Sequence, residues 1–138
     1  MTDPSLLTLT EAAAAIRQHK LSSVEVTRSL LARIERWQPI LNAFVRVEVE
    51  EASAAAAAAD AAIASGDVCG PLHGVPLAHK DMYYITGRLA ECGSKIRSGW
   101  VALATSTAIA RIQDAGLYAS APCIWRSSPT GRPGTTNT

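Results

Sequence analysis

The stretch "GPLHGVPLAHKD", residues 70–81, drives an apolar run into a lysine–aspartate pair. Val75, Leu77 and Ala78 read as a short strand, and the walls of a cleft can desolvate an ammonium placed at such a strand's end. Desolvation lowers the pKa of a lysine, so Lys80 in that position would serve as a general base near neutrality. The plain alternative is a solvated strand terminus, the ordinary state of a lysine. Other residues nearby have the right types for chemistry but lack the company. His73 and His79 suggest a metal pair without a third ligand, and read as structural or cleft-lining. Ser94 in "CGS" sits beside Gly93, which marks a turn. Cys92 has no histidine near it in sequence to activate it, and reads as a buried or incidental thiol. Asp81 fixes the loop after the strand rather than doing chemistry.

The elements that must position Lys80 follow from patterning. "TLTEAAAAIRQHK" opens with Thr8 three residues before Glu11, a capping box, and ends in basic residues suited to a helix C-terminus. "LSSVEVTRSLLARIERW" repeats the grammar with Ser22 and Glu25, and Leu30, Leu31, Ile34 and Trp37 recur at helical spacing. Pro39 is expected to break that helix, and "NAFVRVEVE" to run as a short strand or extended connection. "EEASAAAAAADAAIASG" predicts an alanine-rich helix stopped by Gly66. After the lysine segment, "TSTAIARIQDAG" restores helical spacing and ends on Gly116. Helices alternating with extended apolar segments predict an α/β fold, with N-terminal helices packed on part of a mixed β-sheet.

Composition narrows the function classes. The 138 residues carry 13 Lys+Arg against 12 Asp+Glu, a formal charge of +1, so charge gives no reason to expect nucleic acid or an acidic membrane as partner. Residues are 48% hydrophobic but only 5% aromatic, which fits one modest domain with a thin, alanine-rich core. Cys69, Cys92 and Cys123 make neither a disulfide framework nor a zinc pattern. No metal or cofactor is expected. No cationic leader and no run near the ~20 apolar residues of a membrane span is present, and a cytoplasmic location is expected.

The longer string "GPLHGVPLAHKDMYYITGRLAECGSKI" closely resembles the catalytic-lysine segment of the amidase signature family, whose members commonly read G-P-L-H-G-[VI]-P-[VIL]-x-x-K-D, then a T-G turn and a G-S. The capped N-terminal helices and "LNAFVRV" are also similar to that family's start, so the resemblance spans about residues 5 to 116. It implies an incomplete amidase signature fold and an amide C–N hydrolase whose catalytic set is a lysine, a serine on a cis peptide and a nucleophilic serine. Lys80 is then the lysine that takes the bridging serine's proton, with a glycine-rich stretch supplying oxyanion donors. Ser94 becomes a structural position near the site. Both family serines and that glycine-rich stretch lie downstream, so the resemblance implies a fragment carrying only the lysine and inactive alone. A small-molecule amide is the partner implied for an intact relative. Amides, carbamates, ureas and glutamine for transamidation of charged tRNA are all used by enzymes with this signature. The alternative within the family is therefore a glutamine amidotransferase A-type subunit.

After Gly116 the pattern is lost. The family calls for "A-x-x-L-G-x-x-x-M-x-E-F-A", whereas the chain reads "LYASAPCIWRSSPTGRPGTTNT", expected from its Ser, Thr, Pro and Gly content to be a disordered tail over residues 117–138. Reading each codon one step out, the third base of one with the first two of the next, the tail permits "LRLGTLHMAEFAYGPTGHNKY". Ile124 and Trp125 permit ATG, and Trp125 with a CG-type Arg126 codon gives GCG. The restored string resembles the family's next segment, which points to a frameshift near residue 116. Ser127-Ser128 superficially evokes a serine pair but lacks the surrounding glycines and falls inside this tail. The competing class is a non-catalytic helical module using the amphipathic helix from Ser22 to Trp37, to be distinguished by whether the chain is a soluble, cooperative folder.

Overall fold

A computed structural model describes the backbone of residues 3–125 and the side chains of residues 3–117. Among the described residues, four α-helices and two strands follow one another: α1 (Leu9–Arg17), α2 (Ser23–Leu41), α3 (Val49–Ser65), β1 (Pro76–Lys80), α4 (Thr107–Asp114) and β2 (Tyr118–Trp125). The chain belongs to the α/β class read from the sequence, and the strand pair that the helices pack against is parallel.

Both capping boxes form. Thr8 and Ser22 each accept the backbone N–H three residues on, while Glu11 and Glu25 reach back to the cap N–H at 2.8 Å. The start of α2 has a further partner that no local pattern announces. Asp60 of α3 accepts from Ser23 N–H at 2.7 Å and Val24 N–H at 3.1 Å. Together with the Ser22 side chain it satisfies the helix donors that would otherwise be orphaned, and it bolts α2 to α3.

Pro39 does not break α2, which runs on to Leu41. The proline falls in the last turn, where the bond its missing N–H forfeits would have gone to Glu35, an exposed residue whose carbonyl water can reach. Asn42 then ends the helix in the left-handed region at φ 45° and donates to the Gln38 carbonyl at 2.8 Å. Of the two forms expected for "NAFVRVEVE", the structure adopts the extended connection and hands its last residues to α3. The Gln38 side chain clamps this connection, donating to the Phe44 carbonyl at 2.6 Å and accepting from its N–H at 3.0 Å. Gly66 stops α3 at φ 81°.

The core is small. Ala13 and Ile16 of α1, Val26 of α2, Val75 ahead of β1 and Leu117 ahead of β2 bury together, with Leu30, Leu77 and Ile112 against them. A second cluster gathers Leu31, Ile34, Phe44 and Val47 around Ala52. Large apolar side chains remain outside: Ile40, Leu41, Ile96 and Leu103 are exposed, Ile96 almost wholly.

The sequence anticipated no regular element after residue 117. The structure instead carries the chain beside β1 as β2, which gives the backbone groups of β1 a parallel partner. The ladder is uneven. From Pro76 to Ala78 β1 advances two residues, while its partner advances five, from Tyr118 to Cys123, across a stretch that includes Pro122. Residues 126–138, including Ser127 and Ser128, lie outside the described residues.

Candidate active site

β1 is launched by a turn held from three sides. At its root Gly70 packs so closely on the end of α4 that a Cβ there would lie 2.4 Å from the Ala115 carbonyl oxygen. Only glycine fits. Leu72 N–H donates to that same carbonyl at 3.2 Å. His73 is buried and structural, as its sequence context suggested: Nδ1 accepts from Cys69 N–H at 3.3 Å, and Nε2–H donates to the Ala59 carbonyl of α3 at 3.3 Å. Gly74 adopts φ 81°, and its carbonyl accepts from the buried Ser23 hydroxyl at 2.5 Å. Glycine, histidine and glycine in "GPLHG" thus fasten the turn to α4, α3 and α2 in order.

β1 extends to Lys80, two residues beyond the Ala78 end of the sequence reading. Lys80 is exposed, while His79 before it and Asp81 after it are both only 9% exposed. Its backbone is held firmly. The Lys80 carbonyl accepts from Tyr83 N–H at 3.0 Å, closing the turn after the strand, and from the His79 ring Nδ1 at 3.1 Å. Among the described residues no carboxylate pairs with the Lys80 ammonium.

The segment after Lys80 folds into a looped arm. Leu89 and Val101 form an antiparallel bridge, Gly87 N–H donates to the Ala102 carbonyl at 2.8 Å, and Ala102 N–H returns to the Arg88 carbonyl at 2.8 Å. Thr86 and Thr105 close the base through their hydroxyls at 3.0 Å. Arg88 ties the arm to the start of α3, donating to Glu48 and, at 2.6 Å, to Glu51. Burial alone would lower the Arg88 pKa; the Glu51 hydrogen bond and the charges of Glu48 and Glu51 reverse that and raise it. The Arg88 hydrogen bond correspondingly lowers the pKa of Glu51. At the arm's tip Arg97 donates to the Tyr84 hydroxyl at 2.8 Å, and its guanidinium lies 4.2 Å from the Trp100 ring centroid.

Ser94 donates its N–H to the Glu91 carbonyl at 2.9 Å and begins the short 3-10 turn Lys95–Arg97, a turn position as expected from Gly93. Cys92 is exposed rather than buried, with its sulfur 3.6 Å from Arg97 Nη1. Its backbone lies in the left-handed region at φ 54°. Among the described residues no cluster of three or more His, Cys, Asp or Glu is arranged to hold a metal. Among them, too, no helix is long and apolar enough to cross a membrane.

Beside β1 the structure leaves an apolar groove of about 620 Å³, lined by Leu30, Ile34, Trp37 and Phe44 on one side and Pro76 and Leu77 on the other. Sequence reading named Lys80 at the strand end and took His79 as structural or cleft-lining, but did not single out Asp60. Asp60 sits inside a run of alanines, where a lone carboxylate on a helix face is the one available signal. His79 sits at a strand position whose inward orientation depends on register.

The described residues present a helix-flanked parallel strand pair with an exposed lysine at the end of a glycine-fastened strand, and comparison with known proteins gives its family. The Amidase family model matches residues 25–120, and the chain belongs to that family. It is 43% identical over 117 residues to the A-type subunit of the glutamyl-tRNA(Gln) amidotransferase from Acidothermus cellulolyticus, covering 85% of this chain and 23% of that protein. The corresponding protein of Geobacter metallireducens is 46% identical over 110 residues, 80% of this chain and 22% of the relative. The chain therefore spans less than a quarter of the length of these curated relatives. Among solved structures, the native peptide amidase of Stenotrophomonas maltophilia superposes with a TM-score of 0.73 at 27% identity, over 84% of this chain and 24% of that one. A fatty acid amide hydrolase shares the fold at a TM-score of 0.76 and 23% identity, over 83% of this chain and 20% of that one.

Proposed function

We propose that this chain is the N-terminal part of an amide C–N hydrolase domain in which Lys80 is the catalytic base, and that the chain as written is inactive by itself. The observation that carries the reading is the position of Lys80 at the end of β1, inside the segment that the Amidase family model matches. Lys80 is exposed among the described residues, so the cleft walls that would desolvate its ammonium have to come from the rest of the domain. In the completed domain the neutral Lys80 amine takes a proton from a bridging serine, which takes the proton of the nucleophilic serine as that oxygen attacks the amide carbonyl. The ammonium then returns the proton, through the bridging serine, to the departing amine. Water hydrolyses the acyl ester in the second half-reaction. Backbone N–H donors from the absent glycine-rich stretch would stabilise the tetrahedral oxyanion.

Two observations support the reading of a fragment. The family match ends at residue 120, and the chain covers 23% of a curated relative's length. The groove beside β1 and the exposed Trp37, Ile40 and Leu41 form an apolar surface of the kind a larger domain covers. A reading-frame slip near residue 116 accounts for the lost pattern, while the pairing of Tyr118–Trp125 with β1 as a regular strand counts against it. The test is direct: the chain as written and a frame-restored, full-length protein are assayed for ammonia release from simple amides. Activity confined to the restored protein supports the proposal; activity in the 138-residue chain overturns it.

A second reading within the same chemistry rests on the relatives' names. The completed protein would be one component of an amidotransferase, requiring partner subunits to use the ammonia it releases. Turnover that appears only on addition of such partners would favour it over a free-standing amidase acting on a small amide.

A further inference from the structure

We propose that His79 is a positioning residue for Lys80: its buried imidazole donates from Nδ1 to the Lys80 carbonyl and thereby fixes the root of the lysine side chain. The inference rests on the reading of Lys80 as the base.

A carbonyl oxygen only accepts, so a hydrogen bond from His79 Nδ1 to Lys80 O at 3.1 Å puts the proton of the neutral ring on Nδ1 and the lone pair on Nε2. Nε2 is buried and has no hydrogen-bond partner among the described residues. A ring used only to fill space would leave both nitrogens to be satisfied elsewhere, and an aliphatic side chain would occupy the same place without desolvating any polar atom. Among the described residues, the one bond this imidazole makes goes to the carbonyl of the next residue. Tyr83 N–H takes up the other side of that oxygen at 3.0 Å.

Lysine is four methylenes long, and here it stands in solvent, so the protein can control its direction chiefly at the backbone. Two donors on one carbonyl fix the peptide plane after Lys80 and with it the Cα–Cβ vector. His73 provides the contrast. Its proton lies on Nε2, and its nitrogens are engaged by α3 and the turn, a structural fastening.

The experiment uses the frame-restored, full-length enzyme. His79→Leu keeps bulk and removes the donor; His79→Asn places an amide N–H near the position of Nδ1. His79→Leu should lower kcat by about 10- to 100-fold at an unchanged KM, because a misplaced base slows chemistry without weakening binding. His79→Asn should recover most of that loss. With ¹⁵N-labelled histidine, the resonances lost on substitution should show a protonated Nδ1 and an unprotonated Nε2. Full kcat in His79→Leu, or a proton on Nε2, overturns the proposal. Should His79→Leu fail to fold, the tautomer decides alone. Loss of turnover in Lys80→Ala alongside full turnover in His79→Leu would reject this role while leaving the base intact; full turnover in Lys80→Ala would reject the base itself.

Discussion

Ser23 and Gly74, 51 residues apart, are joined by a buried 2.5 Å hydrogen bond from hydroxyl to carbonyl. Through it the first turn of α2 grips the turn that launches the lysine strand. A Cβ on Gly74 would meet the Ser23 Cβ at 3.3 Å and would also have to adopt φ 81°. In the full-length protein Gly74→Ala should therefore cost about 1–2 kcal/mol from the left-handed backbone alone. Ser23→Ala should cost about 1–3 kcal/mol by leaving a buried carbonyl unpaired. Denaturant unfolding measures both; neutral effects would mean the grip does not stabilise the turn.

Gly70 allows a sharper comparison with Gly66. At Gly70 the obstacle is backbone, the Ala115 carbonyl at 2.4 Å, whereas a Cβ at Gly66 meets nothing within 4 Å and is opposed only by its φ of 81°. Gly66→Ala should cost about 1–2 kcal/mol. Gly70→Ala forces the turn off α4, and overpacking of about 1–3 kcal/mol or more should make it the worse of the two. Equal melting temperatures for the two variants would contradict the close approach.

The two capping boxes predict a pH dependence. The Thr8 and Ser22 backbone N–H groups, then their hydroxyls, hold the Glu11 and Glu25 carboxyls below their ordinary value of 4.5. A carboxyl whose folded pKa is depressed adds stability that is fully present above its unfolded pKa and is lost as pH falls through the folded one. Stability should thus decline below about pH 4.5, and replacing both glutamates by glutamine should flatten that decline. Both carboxyls are exposed, so the slope contributed should be shallow. An unchanged acid limb in the double variant would remove the boxes from the account.

The frame slip is tested in nucleic acid. Sequencing the DNA across the codons for Asp114 to Ser120 should reveal a site where a one-base change restores "HMAEFAYGPTGHN". A gene that cannot be brought to that string by any single-base insertion or deletion there would refute it.

Much of this was legible because it is local. Thr8–Glu11, Ser22–Glu25, Gly66 and Gly116 act on backbone within a turn of themselves, and each does what its type and spacing imply. Lys80 was legible through the string around it, and the structure places it at its strand's end. What sequence could not supply was long-range. Pro39 reads as a breaker until the helix is seen to end two residues later. Asp60 looks like an interruption among alanines until α2 is set against it. β2 has no period of its own, and its assignment comes from lying beside β1. His79 shows its meaning only when its ring is seen on the Lys80 carbonyl.

The measurement that bears most directly on the central claim is turnover of a simple amide by the frame-restored, full-length protein carrying Lys80→Ala or Lys80→Arg, each checked for a native melting temperature. Loss of a positioned base that relays to a nucleophile should lower kcat by orders of magnitude in Lys80→Ala. Lys80→Arg should fail as well, because a guanidinium does not give up its proton at usable pH. Turnover near the parent's in either folded variant would contradict the account and leave Lys80 a solvated strand end.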